Sequence, residues 1–214
     1  ALQTAVKNGL IPLNPADNVE KPKQQPYIAS FYDEESLNLL FDKAQGTRME
    51  LLIIVTAFYG LRRSEALGLK WSAVDFKNKT ITVSHVVADA EDDNGKKYLI
   101  QRNRTKNKAS CRTLPLIPQV EAALLKKKEM DEEYSRVCRR SYCKDYTSYI
   151  FIDELGRILK PDYVSRAFPS LLKKQGLRHI RFHDLRHSCA SLLLNNGVGM
   201  KAIQEWLGHS HFST

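Results

Sequence analysis

Apolar positions recur at helical spacing along most of the chain and change to alternation in one central stretch. Residues 1–10 carry Ala5, Val6 and Leu10 and read as the end of a helix that Gly9 and then Pro12 and Pro15 stop. Asp33, followed by Glu34 and Glu35, has the makings of an N-cap and first turn for an amphipathic helix bearing Leu37, Leu39, Leu40 and Phe41. Residues 48–59 are apolar almost all round, which predicts a helix inside the core. Residues 80–87 alternate and are β-branched; residues 98–104 and 112–116 give two further, weaker strands. Helical patterning returns over residues 121–130, 161–175, 183–196 and 200–207, with Pro169 expected to kink the second of these. The prediction is a mainly α fold with a small antiparallel β-sheet (α+β) and no internal repeat.

The chain has 214 residues, enough for one good-sized domain and an appendage. Residues 20–26 are rich in Lys, Gln and Pro, too polar to pack, and read as a linker. Residues 1–19 are then the tail of a preceding module, and residues 27–214 the main domain. The 33 Lys and Arg against 24 Asp and Glu give a formal charge of +9, which points to a polyanion such as nucleic acid. No apolar run approaches the roughly 20 residues that cross a bilayer, and the first residues lack the pattern of a secretory leader, so a cytoplasmic protein is expected. Cys111, Cys138, Cys143 and Cys189 have neither metal-ligand spacing nor the density of a disulfide scaffold and read as reduced thiols.

Four stretches carry candidate chemistry. In Gly60-Leu61-Arg62-Arg63-Ser64-Glu65, Gly60 ends the buried helix and two arginines follow at its mouth, where a guanidinium can grip a phosphate through two oxygens. By itself this is equally an arginine bonded to helix-end carbonyls or to Glu65. In His183-Asp184-Leu185-Arg186-His187, His183 and Arg186 lie three apart at a helix start, where unpaired N–H groups favour an anion. Its plainer meaning is a capped helix with surface His and Arg. Residues 94–120 hold Lys96, Lys97, Arg102, Arg104, Lys106, Lys108 and Arg112 with no acidic residue among them, a solvated face or a sleeve for a DNA backbone. Finally, Leu207-Gly208-His209 places a histidine just past a helix stop, where a buried structural histidine is the plainer reading. His179, His183 and His187 at four-residue spacing would suit zinc only if one helix ran through all three, and residues 177–182 look extended. No metal or other cofactor is expected.

Taken in order, these four signals resemble the tyrosine recombinase (phage integrase) family, whose pattern is an arginine after Gly-Leu, a hairpin lysine, His-x-x-Arg, Leu-Gly-His and then a tyrosine. The resemblance covers residues 27–214 and makes residues 1–19 the tail of the family's core-binding domain. It implies the catalytic set Arg62, Lys106, His183, Arg186 and His209, with Glu65 in support and Lys108 as the alternative to Lys106. It also implies backbone contacts to double-stranded DNA by Arg63, Lys96, Lys97, Arg102, Arg104, Lys108, Arg112 and Arg181.

The implied reaction is site-specific integration or excision of a mobile element through a 3′-phosphotyrosyl intermediate and a Holliday junction. A homotetramer or dimer on DNA would carry it out, with accessory bending or directionality proteins, in the bacterial cytoplasm at the nucleoid. Arg62 and Arg186 would hold the non-bridging oxygens, His183 would help take the tyrosine proton, Lys106 would protonate the leaving 5′-hydroxyl, and His209 would hydrogen-bond the phosphate. One departure is that the chain stops at Thr214, five residues past His209, so no residue is assigned as nucleophile and these 214 residues are expected to bind DNA without cleaving it. The alternatives are a non-catalytic DNA-binding protein of the same fold and a type IB topoisomerase-like activity.

Overall fold

The computed structural model describes residues 2–20, 31–103 and 111–208. Helix α1 (Leu2–Lys7) and a 3-10 turn over Pro15–Asn18 contain no buried residue. The core begins at Tyr32, whose backbone N–H donates to the Ser188 hydroxyl at 2.9 Å. Helix α2 (Glu34–Ala44) starts on the Asp33 carboxylate, which accepts from Ser36 N at 2.9 Å, and turns Leu37, Leu40 and Ala44 inward.

Helix α3 (Glu50–Tyr59) buries Leu51, Leu52, Ile53, Val55, Thr56, Ala57 and Tyr59, so its all-round apolar sequence is matched by neighbours on every side. It packs on α2, on the short α4 (Arg63–Leu67), on α5 (Pro118–Cys138) and on α7 (Asp184–Asn195). The expected helix over 121–130 is the middle of α5. Only Val120, Leu124 and Asp131 of α5 are buried, and strong helix formers carry it on after the apolar stripe fades. Helix α6 (Pro161–Lys174) runs on through Pro169, burying Pro161, Val164, Phe168 and Leu172, and α8 (Met200–Leu207) ends at Gly208 with φ 69°.

The predicted strand over 80–87 proves to be two. Strand β2 (Thr80–Val83) lies between β1 (Val74–Asp75) and β5 (Arg112–Pro115) in one antiparallel sheet, while β3 (His85–Glu91) and β4 (Lys97–Asn103) form a separate hairpin. Alternation holds through Val83, after which the adjacent Val86 and Val87 are both buried, a pattern that one flat strand with a single core face cannot give. The hairpin reaches the domain at Gly68, where a Cβ would stand 2.5 Å from the His85 carbonyl oxygen and 2.7 Å from Val86 Cα. Any side chain there would hold β3 away from α4.

Candidate active site

The site is assembled at the C-terminal end of α3. Gly60 ends that helix in the left-handed conformation (φ 58°, ψ 35°), and a Cβ on it would lie 2.2 Å from Leu207 Cδ2. Leaving α3, the chain buries Leu61, extends at Arg62 (φ −67°, ψ 150°) and re-enters helix as α4. Glu65, 0% exposed, folds back on this turn: its Oε2 accepts from Arg62 N at 2.9 Å and its Oε1 from Arg62 Nη1 at 2.8 Å. Oε2 also accepts from Arg112 Nη2 at 3.1 Å.

Arg186 enters from the first turn of α7. It is 4% exposed, and its Nη1 and Nη2 donate to the carbonyl oxygens of Gly60 at 2.5 Å and Leu207 at 2.7 Å. The carbonyl of Phe58 is met in the same manner by Trp206 Nε1 at 3.2 Å and Cys189 Sγ at 3.3 Å. Carbonyls left over where α3 and α8 end are thus satisfied by side chains of α7 and α8, which brings three distant segments to one point.

The electrostatics follow from this crowding. Arg62, Arg112 and Arg186 surround one carboxylate, so the cluster is strongly cationic. Burial, with the neighbouring charge of Arg62, lowers the Arg186 guanidinium to about 10, still fully protonated at neutral pH. Burial alone would raise the Glu65 carboxyl, but the Arg112 charge and the hydrogen bonds from Arg62 and Arg112 outweigh it and hold the group below the usual carboxylate range.

His183 immediately precedes α7 and presents an exposed ring edge-on to His187, with centroids 5.7 Å apart. Partial burial, together with the His187 and Arg186 charges, lowers its pKa, so the imidazole is mainly neutral at pH 7. Its position is set by Asp184, a buried residue that the sequence reading passed over. The Asp184 carboxylate accepts from Arg181 N at 2.8 Å and Arg181 Nη2 at 2.9 Å, closing the turn that leads into the helix. An open groove lined by Arg63, Ser165, His179, Arg181 and His183 runs beside this turn. Arg63 braces it by donating to the Ser165 hydroxyl and to Pro161 O of α6.

One expectation about the basic segment needs correction. Arg112, read as part of an exposed DNA sleeve, is 8% exposed and bonded to Glu65. The strand burial alternates Arg112 in, Thr113 out, Leu114 in and Pro115 out, so the arginine shares a face with a core leucine; that parity was the available signal. The segment, free of acid within itself, meets one across the hairpin, where β3 sets Glu91 directly opposite Lys97. Lys96 and Lys97 are exposed at the hairpin tip, and Arg102 is exposed opposite Val86 near its base. That base is tied down by His85, whose ring nitrogens bond the Asn103 amide at 2.6 Å and the Tyr149 hydroxyl at 2.9 Å. Arg104, Lys106, Lys108 and His209 lie outside the described residues. His179 sits in the non-helical stretch before α7, so the three histidines do not share a helix, and among the described residues no cluster suited to a metal occurs.

Residues 30–214 match the Phage integrase family. The chain belongs to that family. A tyrosine recombinase XerC-like protein from Caldanaerobacter subterraneus subsp. tengcongensis is 28% identical over 211 residues, covering 97% of this chain and 52% of its own length. The tyrosine recombinase XerC of Bacillus pumilus is 30% identical over 98% of this chain and 63% of its own length. The chain therefore spans roughly half to two thirds of these curated relatives. Among solved structures, the Tn1549 transposon integrase in complex with a circular intermediate DNA superposes with a TM-score of 0.75 at 21% identity, over 98% of this chain and 67% of that one. A lambda integrase tetramer bound to a Holliday junction gives 0.63 at 19% identity, over 98% of this chain and 55% of that one. These likenesses establish the integrase fold for the chain. Within that fold, Arg62, Glu65 and Arg186 stand together in one cluster, and His183 opens the helix that carries Arg186. Among the described residues no helix is long and apolar enough to cross a membrane.

Proposed function

We propose that this chain is the catalytic domain of a site-specific DNA recombinase that cuts and rejoins strands through a 3′-phosphotyrosyl intermediate. The observation that carries the reading is the convergence of three guanidiniums, those of Arg112 and Arg186 buried, on the single buried carboxylate of Glu65, more positive charge than the described residues neutralise. A pentacoordinate phosphate carries developing negative charge on its non-bridging oxygens, and preorganised guanidiniums stabilise it without reorganising. Arg62 and Arg186 take that role. His183, mainly neutral at pH 7 and close enough to Arg186 to feel its charge, is suited to accept the nucleophile's proton. Lys106 and His209 complete the set by their places in the family pattern, as leaving-group acid and phosphate donor. The attacking tyrosine is assigned to none of these 214 residues.

On this reading, residues 1–19 close a core-binding domain and residues 20–26 join it to the catalytic one; the lack of buried residues in α1 supports that division. Substrates are recombination sites in double-stranded DNA, bound by a tetramer or dimer in the bacterial cytoplasm, where a mobile element is integrated or excised. Arg63 and Arg181 line a groove next to His183 suited to the flanking backbone, and Lys96, Lys97 and Arg102 arm the hairpin. The test is covalent trapping: the full polypeptide incubated with a nicked duplex site forms an adduct stable to denaturant, and Arg62→Ala loses it while still binding DNA. Binding without any adduct would instead favour a non-catalytic protein of the same fold. Relaxation of plasmid lacking a recombination site would favour a topoisomerase.

A further inference from the structure

Arg112 is used by no step above, and its surroundings are unusual for a cation. It is nine-tenths buried on the core face of β5, opposite Val83 of β2. Its Nη2 reaches Glu65, while its Nε and Nη1 are buried with no hydrogen-bond partner among the described residues. A buried guanidinium with two unmatched donors is costly, and an apolar side chain of similar volume beside Leu114 would serve the core better. Packing therefore does not account for it.

The carboxylate it touches supplies an account. Glu65 Oε2 is held jointly by Arg112 Nη2 and Arg62 N, which leaves Oε1 directed at Arg62 Nη1. We infer that Arg112 is a positioning residue of the phosphate pocket, clamping Glu65 from beneath so that Glu65 presents the Arg62 guanidinium to the scissile phosphate. This rests on the reading of the cluster as a phosphate site. Arg112 acts through Glu65 and does not contact the DNA backbone. Its charge also keeps Glu65 ionised and leaves the cluster short of anions among the described residues, so that an entering phosphate relieves repulsion among three guanidiniums.

The test uses the full polypeptide in five forms: wild type, Arg112→Gln, Arg112→Lys, Glu65→Gln and the double variant Glu65→Gln/Arg112→Gln. Single-turnover adduct formation on a nicked duplex is expected to slow about 10–100-fold in Arg112→Gln, the range of lost supporting contacts, with partial recovery in Arg112→Lys. DNA affinity and its salt slope are expected to stay at the wild-type values, since a lost phosphate contact would lower the slope by about one. The double variant is expected to be no slower than Glu65→Gln alone. Wild-type rate in Arg112→Gln, a slope reduced by one, or multiplying losses in the double variant would each overturn the inference. Should the wild type form no adduct, the recombinase reading fails separately, and binding of inorganic phosphate decides the role of Arg112. Weaker phosphate binding in Arg112→Gln, with Arg112→Lys between it and wild type at unchanged melting temperature, supports the clamp; equal binding overturns it.

Discussion

Arg186 reaches across 126 positions of chain to donate from Nη1 to the carbonyl oxygen of Gly60 at 2.5 Å. Its Nη2 bonds Leu207 O, so a single side chain bolts the end of α3 to the end of α8 while delivering charge to the pocket. A guanidinium carries five N–H groups, and the pair spent on carbonyls leaves donors for an anion. Structure and charge placement are therefore one device here.

Arg186→Lys keeps a positive charge but loses the fork that spans two carbonyls. The variant is expected to be less stable by about 2 kcal/mol or more, because a buried acceptor is left unmatched. Urea unfolding followed by circular dichroism checks this, and an unchanged midpoint would show that the carbonyl bonds contribute nothing.

Gly60→Ala combines a left-handed backbone with a Cβ 2.2 Å from Leu207 Cδ2. The expected loss is about 1–3 kcal/mol, the range for overpacking a tight contact, with faster amide exchange in α8 than in α2. Hydrogen exchange by mass spectrometry would register it; uniform protection across both helices would contradict it.

His183 is held below the ordinary histidine range by partial burial, His187 and Arg186. Its folded pKa is depressed, so its stability contribution is present above the unfolded value of about 6.5 and lost as pH falls through the folded pKa. Adduct formation by the full polypeptide should be flat around neutrality and fall on acidification with a midpoint below about 6.5. Imidazole NMR titration gives the midpoint directly, and a value above that figure would be incompatible with the site described.

The cysteines should separate by reactivity. Cys111 is exposed, whereas Cys189 is buried with its thiol pushed up to about 12 by loss of hydration and donates to Phe58 O. Iodoacetamide is expected to label Cys111 in the folded protein and Cys189 only after denaturation, as read by peptide mass mapping.

Much of the architecture was legible because it is periodic. The Asp33 cap, the core helix ending at Gly60 and α8 are each visible as local patterns that the structure repeats within a residue or two. The extent of α5 was not, since charged helix formers past Leu124 show no stripe to follow. The site was legible in part: Arg62, Glu65, His183 and Arg186 were named from motif order, which marks chemistry without saying what each side chain touches. Arg112 is legible as a core residue from its strand parity with Leu114, whereas its charge points to solvent. Asp184 was overlooked because nothing local distinguishes a buried carboxylate that caps a turn from a solvated one.

By itself, then, the sequence determined the elements, the family and the residue types available to a phosphate, since these depend on spacing along the chain. Only the tertiary structure decided that Glu65 is shared by Arg62 and Arg112 and that Arg186 joins Gly60 to Leu207. Apart from the local Arg62–Glu65 bond, those pairings cross 21 to 126 positions, and at such separations partners are chosen by which buried donors must find acceptors once the helices have packed.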